Sequence, residues 1–269
     1  MLYHLFTVFA LVHYLHPGIV FQNMKLGVYG LGRFGAFWAS RLADFTDVVA
    51  YSRTPKSGID PRIGLVSEDE VAACDAVVLC VAISAMEDVV KGLAGRLKPG
   101  TLVMDTCSVK VYPVSVMKSL LPESMPILGT HPMFGPDSGR NGIKGLPLVY
   151  SPVRVDPSRD TLFRDLFSRM ELQLVEMSPD EHDKTAAYTQ GITHFLGRVL
   201  QDLHLEPSPI ATLGYSKLLE IIEQTCNDPE QLFLDLQRYN PHTHEMRESL
   251  KSSLDRFMAK LKEIPGLPA

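Results

Sequence analysis

His131 lies in the segment GTHPMFGP, directly before a proline and ahead of two large apolar residues. An imidazole titrates near neutrality, so a histidine held in place can act as a general base. Pro132 biases the residue before it towards an extended backbone, which sets the direction of the ring. Ser108 is a second polar residue beside an apolar segment. Both are expected at the carboxyl ends of strands, over residues 126–129 and 101–104, where open α/β sheets bind their ligands. A lone histidine fits a satisfied structural role equally well. Further along, Gln190, Gly191, His194 and Arg198 fall on one helical face. Arg198 there suits either a substrate carboxylate or an interface salt bridge.

The group such a base would serve is signalled near the amino end. A short apolar strand from Leu26 to Tyr29 runs into Gly30-Leu31-Gly32-Arg33-Phe34-Gly35 and then an amphipathic segment. This is the dinucleotide-binding fingerprint in its strand–turn–helix setting. Gly30 permits the tight turn, Gly32 lets a pyrophosphate approach the backbone, and Gly35 lets the helix pack against the strand. Phosphates are drawn to the helix N-terminus. The six fingerprint residues, Val81 after a later strand, and Ser52, Arg53 and Thr54 form the expected cofactor-binding set. At the end of the second strand region, 47–58, no carboxylate is present to bind a ribose 2′-hydroxyl or to repel a 2′-phosphate. A guanidinium and two hydroxyls stand there instead, which favours NADP over NAD. Arg53 stacked on adenine is the alternative.

The elements that position these residues are an α/β series followed by helices. Residues 75–82 read as a buried parallel strand, being continuously apolar. A helix over 85–97, strands over 101–104, 126–129, 147–152 and 172–177, and a helix over 158–170 follow, with a loop after residue 104. From Ser178 the character changes. The run SPDE is a capping box opening a long helix to about residue 203. Helices over 209–225, 229–237 and 242–264 complete the chain. In the last, Met246, Leu250, Leu254, Phe257 and Leu261 form one apolar stripe, either core or dimer seam. The expected organisation is a Rossmann-type α/β domain over 24–178 and an all-helical domain over 179–269. The apolar segment 1–23 lacks a positive start, and its run from Leu5 to Leu15 is too short to span a bilayer and is interrupted by His13; it reads as a leader or an upstream mis-start, with a membrane anchor as the alternative.

Composition narrows the functions. The 269 residues are 45% hydrophobic, with a formal charge of −5 and pI near 6.0, which argues against a nucleic-acid binder. The four cysteines form no CxxC pair, and no zinc spacing occurs. That fits reduced thiols in a cytoplasm and no metal site; His242 and His244 point apart on a helix.

GLGRFG, DTCSVK, GTHPMFGPDSG and DEHDKTAAYTQGITHFLGRVL together resemble the prephenate/arogenate dehydrogenase family of tyrosine biosynthesis. The later PIATLGYSKLL and NDPEQLFLDLQRYN are similar to its plant-type arogenate dehydrogenases, a branch that generally uses NADP. The resemblance implies oxidative decarboxylation of prephenate or arogenate. It casts His131 as acceptor of the hydroxyl proton, Ser108 as the residue that orients His131 and touches the cofactor, and His194 as a substrate-binding histidine. His182, in EHDK, matches another recurrent histidine. At twelve residues from His194 it falls about 120° round an uninterrupted helix, so the two are not expected to share a task. Its role is open between capping, packing and ligand contact. Gly191 stands where many prephenate-specific members carry a histidine. The ring-carboxylate anchor is open among Arg140, Arg198 and Lys217. Asp137 is either a partner for the ammonium of arogenate or a solvated turn residue. The family also implies a homodimer through the helical domain. Two other readings are an NADP enzyme of the same build (a β-hydroxyacid dehydrogenase, with Lys184 catalytic, or an imine reductase) and a non-catalytic NADPH-binding sensor.

Overall fold

A computed structural model describes residues 24–265; the segment 1–23 lies outside them. Eight strands form one sheet: β1 (Lys25–Tyr29), β2 (Asp47–Tyr51), β3 (Gly64–Leu65), β4 (Ala76–Leu79), β5 (Leu102–Asp105), β6 (Ile127–Pro132), β7 (Pro147–Arg154) and β8 (Gln173–Glu176). Their spatial order is 3-2-1-4-5-6-7-8. The first six run parallel, and β7 pairs antiparallel with β6. The order 3-2-1-4-5-6 is that of the dinucleotide-binding doubly wound fold. Helices cover both faces, which explains why β4, β5 and β6 are buried along their whole length. On one face α1 (Arg33–Leu42) and α5 (Pro157–Arg169) bury Trp38, Leu42, Phe163 and Phe167. On the other, α2 (Glu68–Ala72), α3 (Met86–Ala94) and α4 (Val111–Leu120) bury Val71, Met86, Leu93 and Met117.

Three differences from the sequence expectations matter for the site. First, β6 continues through His131 and Pro132, with His131 opposite Val149 of β7. The histidine is therefore in the ladder rather than after it, because the antiparallel partner extends the pairing. Second, α4 follows the expected loop, over residues for which the sequence reading names no element; Pro113 falls in its first turn, where its missing N–H costs no helical bond. Third, β2 ends at Tyr51, so Ser52, Arg53 and Thr54 lie on the loop after it.

Helices alone follow Glu176. Ser178 caps α6 (Pro179–Ala186) through the expected reciprocal bonds with Glu181. The expected single long helix is interrupted by a π-turn over Ala187–Gly191 before α7 (Ile192–Asp202). A π-turn takes up one residue more than an α-turn, so His182 and His194 are about 20° apart in phase rather than about 120°. Then come α8 (Leu213–Cys226), α9 (Glu230–Tyr239) and α10 (Thr243–Lys262). The stripe on α10 divides: Met246 is buried, whereas Leu254, Phe257 and Leu261 are exposed, because the rest of the fold reaches only the start of that helix. The helices dock on the sheet through polar ties. Buried Asp235 of α9 accepts hydrogen bonds from Ser84 N (3.0 Å) and Ser84 Oγ (2.9 Å), and the rings of Tyr112 and Tyr239 lie 4.3 Å apart.

Within the helices, α7 and α8 cross at Gly197, where any Cβ would overlap the Thr225 side chain. Gly197→Ala is expected to destabilise the chain by about 1–3 kcal/mol through overpacking, read as a lower urea midpoint at unchanged slope.

Candidate active site

The carboxyl edge of the parallel strands carries the site. Gly30 follows β1 with φ +103°, and a Cβ there would overlap the Cys80 carbonyl. Gly35 lies against the Gly30 carbonyl, so helix and turn meet without side chains between them. No heavy atom lies within 4 Å of the place a Gly32 Cβ would occupy, which leaves the exposed backbone at the α1 N-terminus open to a phosphate. These residues fit a dinucleotide. Val81 lies beside Gly30, while the Leu31 side chain is buried in the core, so only its backbone can reach a cofactor. Phe34 packs on Trp38. Arg53 is exposed and, among the described residues, has no acidic partner.

Arg33, at the start of α1, reaches the helical part. It pairs with Asp137 from the segment after β6 and lies 3.4 Å from Asp228 of the α8–α9 connection. Asp228 is half-buried, and burial raises its carboxyl above the usual range, against the pull of His194, Arg33 and Arg198. It lies in the quoted NDPEQLFLDLQRYN, but the sequence reading gives it no role, since an aspartate in a turn before a proline has no chemistry marked by its neighbours.

Next along the edge, His131 is 3% exposed. Its Nδ1 lies 2.9 Å from Nε2 of His182, and Nδ1 of His182 lies 2.7 Å from Oδ1 of Asp183. Asp183 is fully buried and accepts from the backbone N–H of Lys110 (2.6 Å) and of Val111 (2.9 Å). Lys110 itself is buried against Asp105. The partner of His131 is thus His182, not Ser108; Ser108 is half-buried and makes no hydrogen bond among the described residues. The sequence could not supply this, because His131 and His182 are 51 residues apart and meet only when α6 docks beside β6. Burial holds His131 well below the ordinary histidine value, and the neighbouring His182 and Lys110 add to the effect. His182 is lowered by burial too, with Asp183 pulling the other way. Both rings are therefore neutral at neutral pH.

From the π-turn into α7, three buried polar atoms have no partner among the described residues: Gln190 Oε1, His194 Nδ1 and Arg198 Nε. They recur at every fourth position. An unpaired buried polar group costs about 1–3 kcal/mol, so this row has the character of a ligand surface. Arg198 also donates to the Asp228 carbonyl at 2.9 Å. Burial lowers His194, opposed by Asp228. Gly191 is turned away from this row, against Thr243 and Met246 of α10. Of the three candidate carboxylate anchors, Arg140 is exposed and Lys217 is exposed and paired with Glu220; Arg198 alone lies next to His194. No group of His, Cys, Asp and Glu among the described residues could hold a metal ion, and no described helix is long and apolar enough to cross a membrane.

Comparison with known proteins accords with this architecture. The family model for the nucleotide-binding domain of prephenate dehydrogenase matches residues 58–150, and that for the C-terminal domain of TYRAAT1-like proteins matches 199–265. The solved prephenate dehydrogenase of A. aeolicus, in complex with hydroxyphenyl propionate and NAD+, superposes with a TM-score of 0.70 at 22% identity, over 89% of this chain and 90% of that one. Synechocystis arogenate dehydrogenase gives 0.66 at 20% identity, over 88% and 91%. The fold is theirs. Arogenate dehydrogenase 1, chloroplastic, of Arabidopsis thaliana is 36% identical over 89% of this chain, which spans 39% of that protein's length. For arogenate dehydrogenase 2, chloroplastic, of the same plant the identity is 37% over 88% of this chain and 70% of the relative. The second likeness covers most of this chain and 70% of the relative, which goes beyond shared architecture: the chain belongs to the prephenate/arogenate dehydrogenase family.

Proposed function

We propose that the protein oxidatively decarboxylates arogenate in preference to prephenate, with NADP as cofactor, in tyrosine biosynthesis. The observation that carries this reading is His131: buried and neutral, its Nδ1 occupied by His182, it keeps Nε2 for a ligand at the strand edge that bears the glycine turn. When bound, the nicotinamide supplies the acceptor for the hydrogen leaving the hydroxyl-bearing ring carbon. His131 Nε2 takes the hydroxyl proton as the carbonyl forms. Loss of the ring carboxylate as carbon dioxide leaves its bonding electrons to make the ring aromatic, and the phenolate recovers the proton from His131. Ser108, at the same edge, touches the cofactor.

The row Gln190, His194 and Arg198 forms the substrate side, with Arg198 pairing a carboxylate. Asp228 is the acid placed to pair the ammonium of arogenate. It takes this part in preference to Asp137, which is more exposed and spent on Arg33. Gly30 to Gly35, with Val81, hold the dinucleotide, and Ser52, Arg53 and Thr54 receive the 2′-phosphate; the unpaired Arg53 supports NADP over NAD. The cofactor belongs to the part before residue 178 and the substrate row to the helical part after it. The exposed Leu254, Phe257, Met258 and Leu261 of α10 support a homodimer through the helices. Four free thiols support a reducing compartment such as the cytoplasm.

Absorbance of NADPH measured with arogenate, prephenate and simple hydroxyacids tests the reading; turnover of hydroxyacids alone refutes it. Asp228→Asn is expected to lower kcat/KM for arogenate relative to prephenate by about 10- to 100-fold, the worth of one charge-assisted hydrogen bond. Arg53→Ala should raise KM for NADP about tenfold and leave NAD nearly unchanged; equal effects would remove the NADP assignment. The pH dependence follows from the three lowered histidines. His131, His182 and His194 stay neutral when folded but take protons near pH 6.5 when unfolded. Stability should therefore be level above about pH 6.5 and fall as the pH drops below it. Urea midpoints between pH 8 and 5 report this, and His131→Gln should flatten the fall.

A further inference from the structure

The hydrogen-bond chain behind His131 has only one consistent proton assignment. A carboxylate accepts and cannot donate, and Asp183 lies at the N-terminus of α4. It already receives the N–H groups of Lys110 and Val111. The hydrogen in its 2.7 Å contact with His182 is therefore on His182 Nδ1. A neutral imidazole has one N–H, so His182 Nε2 is an acceptor. The hydrogen in the 2.9 Å contact between the two rings then comes from His131 Nδ1. That leaves His131 Nε2 with a bare lone pair. The opposite arrangement would place the hydrogen on His131 Nε2 and disable it as a base.

Resting on the reading that His131 accepts the substrate proton, we propose that Asp183 and His182 are positioning residues: together they hold His131 in the one tautomer that can act as a base. The same chain places a negative charge behind the imidazolium that forms once Nε2 is protonated. The charged groups acting on the two rings are Asp105 at the end of β5, Lys110 before α4 and Asp183 from α6. The first two neutralise each other, so Asp183 is the acid bonded to the chain. Its own position is fixed further by Asn240, whose Nδ2 donates to the Asp183 carbonyl at 2.7 Å. Asn240 lies between α9 and α10, so the turn that closes the helical part also steadies the base.

Two substitutions at His182 in the full chain separate positioning from packing. A glutamine amide can accept from His131 Nδ1–H and donate to Asp183, which preserves the tautomer. Leucine fills similar space and does neither. His182→Gln is expected to keep kcat within about tenfold of the unmodified protein, and His182→Leu to lose about 10²–10⁴-fold with little change in KM. Nitrogen-15 NMR of histidine-labelled protein gives a second readout independent of turnover. His131 Nε2 should appear as an unprotonated nitrogen in the unmodified and His182→Gln proteins, and as a tautomer mixture in His182→Leu. Asp183→Asn, read by the same spectrum, should also disturb the tautomer. Undiminished turnover in His182→Leu overturns the proposal, as does an equally deep loss in both His182 variants or an unmodified protein with its hydrogen on His131 Nε2. If the unmodified protein oxidises neither arogenate nor prephenate, the functional reading fails, while the spectrum still decides the tautomer.

Discussion

The chain of hydrogen bonds from the start of α4 through Asp183 and His182 to His131 ties together three elements that the sequence keeps far apart. Lys110 and Val111 form the start of α4, Asp183 and His182 belong to α6, and His131 to β6. A fully buried carboxylate is tolerated only when its oxygens are bonded, and here two backbone N–H groups and an imidazole N–H do so. The same carboxylate satisfies N–H groups that the first turn of α4 cannot bond internally. Helix capping and orientation of the histidine are thus one interaction, and disturbing either disturbs the other.

Around that axis the site has two sides of different character. The strand side is built of backbone and small residues, with Gly30 and Gly35 in close contact with neighbouring main chain and open space above Gly32. The helical side presents polar side chains with unmet hydrogen-bonding capacity, Gln190, His194 and Arg198. Arg33 spans the two through Asp137 and Asp228. These ion pairs are partly exposed and contribute little to stability. Their importance lies in bringing a guanidinium and a second carboxylate beside a half-buried acid.

The π-turn over Ala187–Gly191 is a second device of position. It lets Gly191 face Thr243 and Met246 of α10. Without the extra residue, the faces carrying His182 and His194 would diverge by about a third of a turn. π-turns inside α-helices are often found at functional sites, and the phase correction gives this one a reason.

By itself the sequence determined what depends on neighbours along the chain. The strand–glycine–helix turn, the Ser178–Glu181 capping box, the apolar strands of a covered sheet and the change to helices after residue 178 are all local patterns, set by backbone freedom, side-chain caps and hydrophobic period. GTHPMFGP marked His131 for the same reason. Tertiary structure alone decided which residue holds that histidine, because His182 reaches it from 51 residues away by docking and not by spacing. It also decided the face of Gly191, the burial of Asp228 and the exposure of Leu254 and Phe257. A pattern along the chain states what a residue could do locally; the bond it finally makes depends on which surfaces pack together, and that is a property of the whole fold.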